Sequence, residues 1–294
     1  MTPITARRRF SRAGFALSVG GLDMKENPTQ VRKRSFDIHL KDCRLSGEII
    51  SPGGEPASDR EAPALVFLHE GLGSIGQWRD FPPAVCAGAG LPGLVYERRG
   101  HGGSDPLDGP RSPNYLHEEA LDVLPAVLDQ SGISSAILIG HSDGGSMALL
   151  FAAEYPERVL GIVTEAAHVF VEDVTLEGIR KAVALYETTN LKEHLQKYHG
   201  ENTDGLFHAW SDTWLAPSFR DWNIEYCLHR VHCPLLVIQG RDDEYGTPAQ
   251  VEAIVKQAGG PARPLIIPDC GHIPHHQARE QVLAAAVPFV SALL

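Results

Sequence analysis

No apolar run in the 294-residue chain reaches the roughly 18 residues that a membrane-spanning helix needs, so a bilayer-embedded protein is not expected. Cysteine is scarce. Cys43, Cys86, Cys227, Cys233 and Cys270 are scattered without a C-x-x-C pair, which argues for reduced thiols and a cytoplasmic protein. Basic clusters are missing too: the formal net charge is −11, and apart from Arg7-Arg8-Arg9 no basic stretch interleaves with aromatics, so no nucleic-acid partner is expected. His194, His199, His208, His229 and His232 show no metal-ligand spacing, and H-E-x-x-H does not occur. No metal or other cofactor is therefore expected. Internal repeats and low-complexity tracts are also lacking.

What is present is apolar mass in an ordered alternation. With 43% hydrophobic residues, the chain can bury a large core and suits a single α/β unit carrying an insertion. Apolar runs predict strands at 35–40, 44–51, 64–69, 93–97, 136–139, 160–164, 235–239 and 265–268. Helical patterns fall at 81–88, 117–130, 142–155, 247–258 and 277–293, with Pro125 and Pro288 expected to kink theirs. Strands alternating with helices imply a mostly parallel sheet covered on both faces. Pro52-Gly53-Gly54 signals a turn, which the polar stretch 55–61 extends.

The most informative segment runs from Ala136 through Gly140-His141-Ser142-Asp143-Gly144 into an apolar helix. A serine on so tight a strand-to-helix turn is held in a strained conformation, and only small neighbours two residues away avoid a clash. Gly140 and Gly144 meet that demand, which makes Ser142 a candidate nucleophile. The turn also leaves the N–H of Asp143 at a helix N-terminus, where it can stabilise an oxyanion. The Asp143 side chain is read as structural, because an acid there is favourable through the helix dipole alone. An activated serine needs a histidine to take its proton and a carboxylate to orient that histidine. Candidates follow two downstream strands: Asp242 and Asp243 after the first, and His272, His275 and His276 after the second.

Together with His69-Glu70-Gly71-Leu72-Gly73-Ser74 and Arg98-Arg99-Gly100-His101-Gly102-Gly103-Ser104, these motifs resemble an α/β-hydrolase from about Ser35 to the C-terminus. The resemblance implies an eight-stranded mostly parallel sheet with helices on both faces and an inserted helical cap. It selects Asp243 and His272 as triad partners of Ser142 and assigns the second oxyanion donor to the N–H of Gly71. The chain departs from the usual His-Gly pattern at Glu70, read either as an ion-pair partner of Arg98 or Arg99 or as a pocket residue that meets a substrate polar group. His275 and His276 are read as the start of the final helix. Arg99-Gly100-His101-Gly102 is read as a structural loop, with no partner for His101 identifiable from sequence.

Between 165 and 233 the sheet pattern stops, so the expected division is a hydrolase core at 35–165 and 233–294 with a cap at 166–232. His168 is a pocket candidate. Trp210, Trp214 and Trp222 either line the pocket or pack cap against core. Residues 1–34 are expected to be a flexible extension, with translation starting at Met1 or Met24; export is disfavoured because the apolar stretch after Arg7-Arg8-Arg9 is short and lacks an A-x-A site. The expected activity is hydrolysis of a small or medium carboxylic ester through an acyl-enzyme. The alternatives are carbon–carbon bond hydrolysis of vinylogous diketones from ring cleavage, and a non-catalytic binding protein on the same fold. A small-molecule substrate is the expected partner; oligomeric state is not legible.

Overall fold

The computed structural model describes residues 31–53 and 63–294, so most of the expected extension, including Arg7-Arg8-Arg9 and Met24, and the loop 55–61 lie outside it. The elements in chain order are β1 (Val31–His39), β2 (Arg44–Pro52), β3 (Ala64–Leu68), α1 (Phe81–Ala89), β4 (Gly93–Tyr96), α2 (Tyr115–Glu118), α3 (Leu124–Gln130), β5 (Ala136–His141) and α4 (Asp143–Glu154). Then come β6 (Val159–Glu165), α5 (Asp173–Thr188), α6 (Leu191–His199), α7 (Thr203–Leu215), α8 (Glu225–Leu228), β7 (Leu235–Gly240), α9 (Pro248–Gln257), β8 (Ala262–Ile267), α10 (Pro274–Gln277) and α11 (Arg279–Ser291).

One eight-stranded sheet has the order β1-β2-β4-β3-β5-β6-β7-β8. β2 is antiparallel to both neighbours and every other pairing is parallel, so β2 alone runs against the rest. The period of two along a strand divides the core. Ala136 and Leu138 of β5 face a cluster with Leu124 and Val127 of α3 and Met147 of α4. Ile137 and Ile139 face the opposite cluster, with Phe81 and Val85 of α1 and Val282 and Ala286 of α11. Each Val, Leu, Ile, Phe or Met among them contributes about 1.5–3 kcal/mol when removed from water, which is why these strands read as continuous apolar runs.

Several boundaries differ from the sequence expectation. β1 begins at Val31, so 31–34 belong to the sheet rather than to the extension. The helix expected over 117–130 is interrupted by a wide π-type turn at Glu119–Val123. Pro125 has no N–H for the carbonyl of Leu121, which instead accepts the Tyr155 hydroxyl at 3.1 Å. His275 and His276 lie in the separate α10, because Ala278 (φ −134°, ψ 36°) is non-helical and breaks the expected final helix. α11 continues through Pro288 to Ser291.

Between β6 and β7 the chain leaves the sheet and forms α5, α6, α7 and α8. The insertion closes on itself at its base: Phe170 and Asn223 form an antiparallel bridge, and the N–H of Ile224 donates to the carbonyl of Val169 at 2.8 Å. Beyond that bridge Ile224, Cys227, Leu228 and Val231 are buried in the core. The span 166–232 thus includes residues that pack with the sheet. Among the described residues no helix is long and apolar enough to cross a membrane, no group of three or more His, Cys, Asp or Glu could hold a metal ion, and all five cysteines are unpaired. The parallel strands end on one edge of the sheet, where β3, β5, β7 and β8 deliver the loops of Gly71, Ser142, Asp243 and His272. That edge is the usual place for ligands in open parallel sheets.

Candidate active site

Ser142 joins β5 to α4 with φ 51° and ψ −117°, a conformation costly for any residue with a Cβ. The turn closes only because its flanks lack side chains. A Cβ at Gly140 would collide with the main chain of Gly144, and one at Gly144 with the carbonyl of Leu68. His272 reaches the serine from the loop after β8, with Nε2 3.0 Å from Ser142 Oγ. Its Nδ1–H donates to Asp243 Oδ1 at 2.8 Å, which leaves Nε2 to accept the serine hydroxyl. Asp243 also accepts the N–H groups of Tyr245 at 2.8 Å and Gly246 at 3.3 Å, and the Gln239 amide at 3.2 Å. Burial pushes the Asp243 carboxyl up, but His272 and the Tyr245 N–H outweigh it and hold the group below its ordinary value. Asp242 is exposed and is absent from this cluster.

The residues expected to supply the oxyanion donors adjoin a cavity of about 230 Å³ that Ser142 and His272 also line. Gly71 and Asp143 line it, and neither N–H is donated to a protein acceptor among the described residues. Arg98 ties the two together. Buried at 2% exposure, it donates Nη2–H to the carbonyl of Glu70 at 2.7 Å and approaches Asp143 Oδ2 at 3.4 Å. Tyr115 also donates to Asp143 Oδ2, at 2.8 Å. His69 accepts the main-chain N–H of Arg98 on Nε2, and burial, reinforced by the Arg98 charge, keeps its ring neutral.

Glu70 departs from expectation. Its carboxylate pairs with His141 at 3.3 Å, not with Arg98, whose charge goes to Asp143, or Arg99, which pairs with Asp108. The side chain folds inward over Gly73, where any Cβ would collide with it. His101, whose partner the sequence could not identify, points Nε2 at the carbonyl of Gly71, 3.1 Å away.

The insertion supplies the cavity's other wall: Thr175 and Ile179 from α5, Leu195 from α6, and Trp210 and Trp214 from α7. His168 lines the cavity and donates Nε2–H to the carbonyl of Tyr245 at 3.0 Å; burial and then His272 push its ring toward the neutral form. Trp222 does not line the cavity. It stacks on Phe219 in the core, with ring centroids 5.5 Å apart. Sequence reasoning missed His141, Gln239, Tyr115 and Glu244, the last of which lines the cavity and accepts the main-chain N–H of His272 at 3.2 Å. Only His141 carried a signal, its place immediately before the serine.

A family model described as alpha/beta hydrolase fold matches residues 63–226. The chain is 33% identical over 211 residues to a 2-hydroxy-6-oxononadienedioate/2-hydroxy-6-oxononatrienedioate hydrolase of Burkholderia vietnamiensis, covering 62% of this chain and 71% of that protein. It is 26% identical over 261 residues to a 2-hydroxy-6-oxo-6-phenylhexa-2,4-dienoate hydrolase of Comamonas testosteroni, covering 78% and 88%. The solved structure of an enzyme with that same name from Rhodococcus sp. strain RHA1 superposes with a TM-score of 0.71 at 15% identity, over 90% of this chain and 98% of the other. At that identity the superposition shows the fold alone.

Proposed function

The chain belongs to the α/β-hydrolase family, and from that premise we propose that it is a serine hydrolase cleaving small, uncharged carboxylic esters through an acyl-enzyme. The observation that carries the reading is the contact of His272 with both Ser142 Oγ (3.0 Å) and Asp243 Oδ1 (2.8 Å). His272 takes the hydroxyl proton as Ser142 attacks the ester carbonyl, and Asp243 holds the imidazolium in place. The N–H groups of Gly71 and Asp143 receive the oxyanion. His272 then protonates the leaving alcohol. Water, activated by the same histidine, releases the acid.

Size and charge of the cavity support the substrate class. At about 230 Å³ it is smaller than the roughly 300–1,000 Å³ of sites for drug-sized ligands. Among the described residues no lysine or arginine lines it, and its carboxylates are Glu70, paired with His141, Asp143, paired with Arg98, and Glu244. Leu72, Ile179, Leu195, Trp210 and Trp214 add apolar surface. The helices between β6 and β7 serve as a cap that excludes water and selects the acyl group. The unpaired cysteines fit a reducing, cytoplasmic setting.

Carbon–carbon bond hydrolysis is the second reading, favoured by the names of the Burkholderia and Comamonas relatives. Those names denote carboxylates, and a substrate carboxylate would meet Glu244 here with no lining lysine or arginine to pair with. Intact-protein mass after fluorophosphonate treatment, on wild type and Ser142→Ala, tests the nucleophile: one adduct lost in the variant is expected, and an unlabelled wild type overturns the reading. The ratio of kcat/KM for short aryl esters to that for ring-cleavage dioates then separates the two substrate classes, and esters are expected to be preferred.

A further inference from the structure

His141 immediately precedes Ser142 and is 1% exposed, and its ring nitrogens face a carboxyl group, which burial pushes up but the hydrogen bond and charge of His141 hold below its ordinary value, and a main-chain carbonyl. Nδ1 lies 3.3 Å from Glu70 Oε2, and Nε2 lies 2.7 Å from the main-chain carbonyl of His272. A neutral imidazole carries one N–H, so it would set a lone pair against one of these oxygens. With Glu70 ionised, only the imidazolium satisfies both, and a buried imidazolium needs a counter-charge. Glu70 provides it. The pair therefore links three parts of the candidate machinery: Glu70 adjoins Gly71, His141 adjoins Ser142, and the second acceptor belongs to His272 itself.

We propose that Glu70 and His141 form a charged strut between the oxyanion loop and the His272 loop, and that they are positioning residues which hold the His272 imidazole on Ser142, a role that rests on the serine-hydrolase reading above. Glycine is usual at position 70 in the resembled family, and glycine could supply no charge. The rest of the surroundings agree with a cation. Glu165, fully buried behind the strut, adds negative charge while its Oε2 accepts the N–H and Nδ1–H of His275. The rings of His272 and His275 lie 5.2 Å and 5.0 Å from His141, and Trp78 meets it edge-on at 6.3 Å. Burial opposes the charge on His141, but the hydrogen bond and charge of Glu70 outweigh it and raise its pKa.

A histidine raised in this way keeps its contribution below its folded value and loses it as pH rises through that value. Glu70→Gln retains an acceptor for Nδ1–H while removing the charge, so the strut should fail at lower pH. The test measures kcat and KM for a short aryl ester across pH 6–10 in wild type and Glu70→Gln, with nitrogen NMR of the His141 ring assigned through His141→Gln. The expected result is a wild-type His141 carrying two N–H groups at neutral pH. The alkaline limb of kcat should fall by roughly one to three pH units in Glu70→Gln, with little change in KM. A neutral His141 ring, or a variant-to-wild-type kcat ratio constant across pH, overturns the strut and leaves the pair a packing feature. The NMR arm uses wild type, so it decides even if the variant misfolds. Failure of the hydrolase reading shows separately, as a wild type that neither turns over esters nor takes up fluorophosphonate.

Discussion

Trp214 donates its indole N–H to the hydroxyl of Tyr115 at 2.8 Å, and through that hydroxyl the insertion between β6 and β7 reaches the carboxylate of Asp143 at the foot of the serine turn. All three side chains are buried, so each bond is made away from competing water. Tyr115→Phe keeps the ring, removes both bonds and leaves the Trp214 N–H unpaired. The expected cost is about 1–3 kcal/mol in urea unfolding with an unchanged m-value. A loss within error would mean that water replaces the hydroxyl.

Ser142 sits at φ 51°, a conformation that costs a non-glycine residue roughly 1–3 kcal/mol. Ser142→Gly should therefore raise the unfolding free energy by about 1 kcal/mol while abolishing turnover. Calorimetry and ester assays on the same sample check both parts, and a less stable variant would show that the turn is not strained.

The buried Arg98–Asp143 pair predicts strong coupling. Arg98→Leu strands a buried carboxylate and should cost about 3–5 kcal/mol, whereas adding Asp143→Asn should recover part of that loss. Additive losses across the double-mutant cycle would show that the two charges do not interact.

Histidine burial sets the acid response. Burial pushes His69, His101, His168 and His199 below their ordinary value. For each, the unfolded chain takes up its proton first as pH falls. Stability from these groups is full above about 6.5 and is lost as pH drops through that value toward the lower folded one, by about 1.4 kcal/mol per pH unit for each proton. His141, raised instead, contributes with the opposite sign. Urea unfolding at pH 7.5, 6 and 5 should show a marked decline; flat stability would mean that these rings take up protons as readily in the fold as in the unfolded chain.

The sheet was legible because strands buried on both faces, such as β5, appear as unbroken apolar runs, and Ser142 was legible because its turn admits only glycine at two places. Asp243 and His272 came from the resemblance, and their meeting depends on the adjacency of β7 and β8, which no local pattern states. The partner of Glu70 was not legible. Charge complementarity pointed to an arginine, but the direction of the side chain is set by the space over Gly73. Trp210 and Trp222 look alike in sequence, and only the packing of the insertion sends one to the cavity and the other to the core.

The bridge between Phe170 and Asn223 matters for descent as much as for shape. Because the chain leaves and re-enters the sheet at one pinned seam, the length and composition of what lies between can drift at a closure cost that grows only with the logarithm of length. A segment exchanged at that seam would bring a new cavity wall in place of Trp210 and Trp214, and the strands that carry Ser142, Asp243 and His272 would tolerate it where the Trp214–Tyr115–Asp143 connection is kept. Chimeras joined at this seam are the natural route to transplanting substrate preference between relatives.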